Sequence, residues 1–222
     1  MPKSGALCNR SAAGRLSVEP VEKFRGDRRR RQCKKEKRKP AFANAPVLIG
    51  KPMPPACSPG QLFAYLDSLG IAHQTVQHPA VFTVEEARTL RGKVAGGHTK
   101  NLFLRDKKGA LFLVVAPEDA AIELKSLHRL LGASGRFSFG SAELMRETLG
   151  VEPGSVTPFA AINDKGGQVT VVLDTAMMRE PTLNFHPLVN TGTTTISREG
   201  LLKFLESTGH LPRIEPISNP GQ

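Results

Sequence analysis

Apolar residues recur at helical spacing in five segments of the chain, and each segment begins with a residue suited to cap a helix. In the first segment, Ser58 supplies the capping hydroxyl and Pro59 takes the first helical position, before an apolar face that ends at Gly70. The other predicted helices run from Thr83 to about Leu90, from Asp119 to Gly132, from Ser141 to Gly150 and from Ser197 to Gly209. These caps predict where the helices start.

Short β-rich runs fill the intervals between the helices. The turns Asp106 to Gly109 and Asn163 to Gly167 each separate two such runs, which predicts two hairpins. The predicted strands are residues 72–77, 102–104, 111–115, 136–139, 159–162, 169–173, 182–186 and 193–196, with a short helical or irregular piece at 175–179. The pattern indicates one α+β domain with a curved, mainly antiparallel (mixed) sheet covered by helices.

Charge divides the chain into a basic extension and a neutral domain. Residues 1–57 carry 15 Lys and Arg against four acids, whereas residues 58–222 carry 16 of each sign. Because residues 28–39 contain nine cations and are followed by a proline-rich stretch, we expect residues 1–57 to be disordered. The predicted organisation is this extension, a domain at 58–213 and a C-terminal tail at 214–222.

The role of the extension stays open between two interpretations. A polybasic arm can add a salt-dependent attraction for RNA. Alternatively, the segment is a solvated extension, or follows from a start codon placed too far upstream. The domain itself is electrically neutral, so composition alone does not indicate a nucleic-acid-binding fold.

Several classes of function lose their main support. The GxSxG, HExxH, GxxxxGK[ST] and GxGxxG motifs are missing, and the three cysteines at positions 8, 33 and 57 show no paired spacing. The histidines show no ligand spacing either, so we expect neither a metal nor a cofactor. The longest clean apolar run, Leu111 to Ala116, is too short to cross a bilayer, and we expect a cytoplasmic protein with no membrane partner.

Three polar loops remain as candidates for chemistry, at residues 98–101, 154–158 and 184–187. Each also has an ordinary structural interpretation. Lys100-Asn101 can be a solvated strand entrance, Gly154 to Pro158 a plain turn, and His186 an extended residue before Pro187. No single loop decides between the two interpretations.

In this order, however, the three loops resemble the YbaK/prolyl-tRNA synthetase-associated editing domains, and among these the free-standing trans-editing proteins that clear alanine from mischarged prolyl-tRNA. The resemblance extends over residues 58–213. It is carried by the runs His98-Thr99-Lys100-Asn101-Leu102-Phe103-Leu104, Leu149-Gly150-Val151-Glu152-Pro153-Gly154-Ser155-Val156-Thr157-Pro158-Phe159 and Asn184-Phe185-His186-Pro187-Leu188-Val189-Asn190-Thr191. The basic extension departs from the compact start that is usual in that family.

The resemblance implies hydrolysis of the ester that joins a wrong amino acid to the 3′ end of a tRNA, with no metal and no covalent intermediate. It implies that Lys100 contacts the substrate and the terminal adenosine, and that Asn101 helps to position them. Backbone N–H groups beside Gly154 become candidate donors to the substrate carbonyl. The implied substrate-binding residues are Asn101, Ser155, Val156, Thr157, Pro158 and His186, with Lys100 and Gly154 as the catalytic ones.

The implied partners are the acceptor end of tRNA(Pro) and, as a further candidate, a prolyl-tRNA synthetase. Three functions remain open on this basis: hydrolysis of Ala-tRNA(Pro), hydrolysis of Cys-tRNA(Pro) or another small misacylated product, and a non-catalytic aminoacyl-tRNA- or RNA-binding module. The first is the leading hypothesis because the closer resemblance is to the alanine-clearing proteins.

Overall fold

The structure, a computed structural model, describes residues 56–79 and 94–218. Its helices begin at the predicted capping residues in three of four cases. Ser58 forms a reciprocal capping box with Gln61, and the hydroxyls of Ser141 and Ser197 accept the N–H groups of Leu144 and Gly200. The helices are α1 (Pro59–Ser68), α2 (Leu124–Leu130), α3 (Ala142–Leu149) and α4 (Arg198–Ser207).

Eight strands form one mixed sheet in the order β1-β7-β6-β2-β3-β5-β8, and β4 pairs separately with β2. Four of the pairings are antiparallel, and three (β2 with β6, β3 with β5, β5 with β8) are parallel. The strands are β1 (His73–Gln77), β2 (Gly97–Arg105), β3 (Leu111–Pro117), β4 (Ser138–Phe139), β5 (Val169–Asp174), β6 (Thr182–Phe185), β7 (Gly192–Ser197) and β8 (Arg213–Glu215). The predicted α+β class with a mixed sheet is thereby confirmed.

Alternate side chains of β2, β3 and β5 enter two separate apolar clusters. We call the side that carries Phe103, Val115 and Leu173 the inner face; α1, α3 and α4 pack there. The side that carries Leu104 and Val114 is the outer face, and α2 covers it. Because side chains alternate along a strand, two neighbouring residues of β2 always reach opposite faces.

Three local predictions are wrong. Asp119 does not cap a helix, because α2 begins later, after Glu123, which makes no side-chain capping bond. Residues 159–162 are not a strand: Thr157 caps a 3₁₀ helix, Pro158–Ile162, so the turn at 163–167 does not join two strands of a hairpin. The predicted strand at 136–139 is only Ser138–Phe139. In each case a short apolar run or an acidic residue was compatible with more than one local structure.

The first hairpin and the strands flanking residue 190 are confirmed. Of the two alternatives for residues 175–179, the structure has the helical one, a 3₁₀ helix at Met177–Arg179. The predicted helix from Thr83 to Leu90, the extension up to residue 55, which includes Cys8 and Cys33, and residues 219–222 lie outside the described residues. Among the helices that the structure describes, none is both long and apolar enough to cross a membrane.

Candidate active site

Lys100 and Asn101 lie in the middle of β2 and not at its entrance, since the strand already begins at Gly97. Lys100 is level with Ala116 and Asn101 with Val115 of the neighbouring strand. Asn101 therefore reaches the inner face with Val115, and Lys100 the outer face. The Lys100 Nζ donates a hydrogen bond to the carbonyl oxygen of Ala120, which follows β3. Both side chains are half-buried.

Gly96 lets the chain approach β6 closely before β2 begins. Its φ of +107° is in the region that favours glycine, and a Cβ there would lie 2.7 Å from the Thr182 hydroxyl. The Nδ2 of Asn184 donates to the carbonyl of Ala95 at 3.1 Å, and the Thr99 hydroxyl donates to the backbone oxygen of Asn184 at 3.1 Å. Asn184, only 4% exposed, thus fixes the start of β2 against β6.

The loop at residues 154–158 combines an exposed glycine with buried neighbours. Gly154 has a φ of +87°, and the single atom near its missing Cβ is Asn190 Nδ2 at 3.9 Å. The backbone conformation, and not crowding by the protein, therefore explains the glycine. Ser155 is 4% exposed and Thr157 is completely buried. Before the loop, Arg146 holds both carboxylate oxygens of Glu152, which lowers the pKa of Glu152.

Only part of the predicted donor set beside Gly154 is free. The N–H of Ser155 donates to the Glu152 carbonyl at 2.9 Å, so it is not available to a ligand. In contrast, among the residues that the structure describes, the N–H groups of Val156 and Thr157 have no acceptor. A buried backbone N–H is nearly always paired, so an unpaired one at the buried Thr157 is a candidate ligand contact.

The segment after β6 makes a tight bend around His186. Leu188 has a φ of +66°, which is unusual for a residue with a side chain, and its N–H donates to the His186 carbonyl at 3.0 Å. Leu188 is nevertheless 5% exposed and packs in the inner cluster. Sequence reasoning missed Leu188, because no sequence pattern marks a strained leucine.

His186 is a neutral imidazole at physiological pH. Burial lowers the pKa of His186, a hydrogen bond to the Gly192 carbonyl opposes this, and the neighbouring His78 lowers it further. Because a carbonyl can only accept, His186 Nδ1 carries the proton in its 3.1 Å bond to Gly192. The other ring nitrogen, Nε2, is then an unprotonated acceptor.

The structure brings residues 154–159 into contact with residues 185–190 and places the start of β2 beside them. The rings of Phe159 and Phe185 meet edge to face at 5.6 Å, and Asn190 lies over Gly154. β2 runs parallel to β6, with His98 level with Asn184. This is the last pair between the two strands, and Lys100 follows His98 by two residues just as His186 follows Asn184 by two residues. In the described part of the chain, no three His, Cys, Asp or Glu side chains come together as metal ligands.

Comparison with known proteins shows the family to which the chain belongs. The sequence profile of the aminoacyl-tRNA editing domain matches residues 78–204. A Bos taurus protein named prolyl-tRNA synthetase associated domain-containing protein 1 is 40% identical over 153 residues, which cover 67% of this chain and 89% of that protein. The chain belongs to the aminoacyl-tRNA editing domain family. The match includes all three loops of the candidate site.

Two further comparisons agree with this editing-domain assignment. An Acetoanaerobium sticklandii protein named prolyl-tRNA editing protein ProX is 35% identical over 150 residues, covering 67% of this chain and 91% of that protein. A crystal structure described as a candidate trans-editing enzyme for prolyl tRNA synthetase superposes with a TM-score of 0.57 at 20% identity, over 76% of this chain and 99% of that one. The second match supports the fold.

Proposed function

We propose that this editing domain is a free-standing deacylase that hydrolyses Ala-tRNA(Pro). The observation that carries the proposal is the Gly154 to Pro158 loop, in which the N–H groups of Val156 and Thr157 have no acceptor among the described residues. Phe159, directly after this loop, contacts Phe185, directly before His186. The names of the relatives, which refer to prolyl-tRNA editing and to prolyl-tRNA synthetase, support the choice of tRNA. Its partners are then the acceptor end of tRNA(Pro) and, as a further proposal, the synthetase.

The reaction needs little chemistry from the protein, because an aminoacyl ester is already activated. In the proposed mechanism, the ester carbonyl oxygen accepts hydrogen bonds from the N–H groups of Val156 and Thr157. These bonds strengthen as water adds to the carbonyl carbon and negative charge develops on that oxygen. The bond between the carbonyl carbon and the ribose oxygen then breaks, and the ribose oxygen takes the proton from the attacking water. The products are alanine and free tRNA.

Lys100 contributes a positive charge where the 3′ nucleotide is held. Its Nζ is already oriented by the Ala120 carbonyl, so little side-chain freedom is lost when an anionic or hydroxyl group of the terminal adenosine binds. His186, neutral and tied to Gly192, shapes the pocket and does not act as the base in this mechanism. The free ribose hydroxyl of the tRNA is positioned to assist the water.

The pocket must discriminate between amino acids that the synthetase confuses. A difference of one methylene gives only about 10- to 200-fold discrimination, so a synthetase pocket that holds proline also admits alanine. A second site that is too small for proline removes the error. In this proposal Pro158 and Val156 contribute to the small pocket, and Ser155 and Thr157 hold its backbone.

The test measures the release of amino acid from tRNA(Pro) charged with alanine, cysteine or proline. We expect fast release of alanine, and a loss of about 100-fold or more in Lys100→Ala. Lys125→Ala is the matched control, because Lys125 is exposed on α2, and it should leave the rate unchanged. Faster release of cysteine would reassign the substrate. Hydrolysis of no ester would leave only the non-catalytic binding module.

A further inference from the structure

The segment from Phe185 to Asn190 runs alongside the loop at residues 154–158, in the opposite direction. At one end the rings of Phe159 and Phe185 meet at 5.6 Å. At the other end Asn190 Nδ2 lies 3.9 Å from the position that a Cβ of Gly154 would occupy. Gly154 and Phe159 are five residues apart, and so are Asn190 and Phe185. The main-chain donors of the loop therefore lie along this segment.

Backbone strain at Leu188 fixes the path of the segment. Leu188 has a φ of +66°, and its side chain is packed in the inner cluster with 5% exposure. A leucine at positive φ is strained, and such strain persists only where the surrounding structure imposes it. Beyond the turn, the N–H of His78 donates to the carbonyl of Thr191 at 3.0 Å. Asn190 is thus held between a buried anchor and a main-chain bond.

The side-chain amide of Asn190 is available to a ligand. Within the part of the chain that the structure describes, no hydrogen bond engages this amide, and the side chain is half-buried. Apart from the neighbours of Gly154 in the chain, no other described atom lies within 4 Å of the missing Cβ. A primary amide has two N–H donors. Asn190 therefore directs a donor group at open space beside the loop.

Two charged groups near the loop do not compete for these donors. Arg146 binds both carboxylate oxygens of Glu152, at 2.8 and 2.9 Å. Burial lowers the pKa of His186, so its imidazole is neutral at physiological pH. Uncharged donors in fixed positions stabilise a developing oxyanion because they need not reorganise during the reaction.

We infer that Asn190 is a third donor to the carbonyl oxygen of the ester. The inference rests on the proposed function, in which the same oxygen accepts from the N–H groups of Val156 and Thr157. Asn190 Nδ2 donates one N–H to this oxygen, and the bond strengthens when water adds to the carbonyl carbon and the oxygen becomes an anion. Asn190 is then a catalytic residue, and the strained turn at Leu188 positions it.

The first test separates kcat from KM. An interaction that is strong only in the transition state lowers kcat when it is removed and changes KM little. Asn190→Ala should therefore lower kcat for Ala-tRNA(Pro) by about 100-fold, with KM within about threefold of the unaltered value. Thr191→Ala is the matched control, because the Thr191 side chain is exposed and its carbonyl bond to His78 is kept, and it should leave kcat unchanged.

Asn190→Asp distinguishes a donor from a side chain that only fills space. Aspartate has nearly the size of asparagine, but when ionised it has no donor and its charge opposes the developing oxyanion. Its kcat should be lower than that of Asn190→Ala by at least about tenfold. A kcat above that of Asn190→Ala would overturn the inference.

A second nucleophile shows whether Asn190 acts on the carbonyl or on the attacking water. Hydroxylamine forms a bond from its nitrogen to the carbonyl carbon, the bond to the ribose oxygen breaks, and that oxygen takes a proton from the nitrogen. The products are alanine hydroxamate and free tRNA. Because both nucleophiles create the same oxyanion, Asn190→Ala should slow the two catalysed reactions to the same extent, within about threefold. Each rate is corrected for the rate without protein.

The remaining outcomes separate this inference from the proposed function. Loss of hydrolysis alone, or an unchanged kcat in Asn190→Ala, overturns the inference while the proposed function stands. If the unaltered protein hydrolyses no alanyl ester, both are overturned. Urea unfolding identifies a variant that does not fold, and in that case the other variant at position 190, compared with Thr191→Ala, decides by its kcat and KM.

Discussion

Two glycine-bearing connections of this domain use their main-chain donors in opposite ways. In the turn at residues 163–169, the N–H groups of Lys165 and Gly167 donate to Asn163 and Asp164 carbonyls, and Val169 donates to the Asp164 carboxylate at 2.7 Å. In the loop at 154–158, Ser155 alone closes such a turn, and Val156 and Thr157 have no described acceptor. A connection that consumes its donors serves the fold, whereas one that keeps them is suited to a ligand.

The two connections also differ in charge, because a buried carboxylate accepts from the main-chain donors of the turn at 163–169. Burial by itself would raise the pKa of Asp164, but hydrogen bonds from His210 and from the N–H groups of Gln168 and Val169 outweigh it, so the pKa is lowered. Among the described residues, no carboxylate accepts from the N–H groups of Val156 and Thr157, and the carboxylate of Glu152 is bound by Arg146. An anion or a developing oxyanion can therefore use the loop donors without competing with the protein.

The largest effect on stability is expected when the carboxylate of Asp164 is removed from the turn at residues 163–169. Asp164→Ala leaves the Val169 N–H and the His210 imidazole without their buried acceptor, since Asp164 Oδ2 is 3.1 Å from His210 Nε2. The free energy of unfolding in urea should fall by about 3 kcal/mol. Asp67→Ala is the control, because Asp67 is an exposed partner of His73 and should cost less than about 1 kcal/mol. Equal losses in the two variants would contradict the structural role of the turn.

A matched pair of glycine substitutions then separates the two roles. Gly154→Ala and Gly167→Ala both place a Cβ at positive φ, +87° and +59°, with no protein atom closer than 3.9 Å. Each should reduce the free energy of unfolding by about 1–2 kcal/mol. Only Gly154→Ala should also reduce deacylation of Ala-tRNA(Pro), by about 100-fold, because it moves the loop donors. A comparable loss of activity in Gly167→Ala would remove the distinction between the two connections.

The smallest expected effect is that His186 and Asp164 change the stability of the domain in different pH ranges. The depressed pKa of His186 means that the unfolded chain takes up a proton below about pH 6.5 while the folded domain does not, so stability is lost as the pH falls. The depressed pKa of Asp164 acts only below about pH 4, where the unfolded carboxyl becomes protonated. The free energy of unfolding, measured between pH 7 and pH 5, should therefore depend less steeply on pH in His186→Gln than in the unaltered protein. If the pH dependence is the same in His186→Gln, groups other than His186 cause it.

Local sequence signals predicted most of the helices and hairpin strands. Ser58, Ser141 and Ser197 cap helices through contacts within three residues, so the sequence contains the whole interaction. Residues 159–162 were misassigned because Thr157 and Pro158 start a 3₁₀ turn within an apolar run too short to show a period. β8 was missed because the strand with which it pairs, β5, is about 40 residues away, and non-local pairing leaves no local pattern.

The candidate site was predictable as residue types but not as an arrangement. Alternation along β2 already implies that Lys100 and Asn101 reach opposite faces. The pairing of the two ends of β2 with different strands, β6 and β4, depends on how distant strands meet, as do the contacts of Asn184 and the strained Leu188. The roles of Lys100, Gly154 and His186 remain predictions for the assays above.

The residues that precede α1 offer a practical point of attachment. The N–H of Cys57 donates to Asn163 Oδ1 at 2.8 Å, Asn163 in turn donates to the Leu149 carbonyl, and a Cβ on Gly150 would lie 2.7 Å from the Ala56 Cβ. A shortened protein should therefore keep Ala56 and Cys57. Ala56 lies next to Gly150, which stands four residues before Gly154. A dye or an immobilising tag attached just upstream of Ala56 would therefore be close to loop 154–158 without replacing any residue of the site.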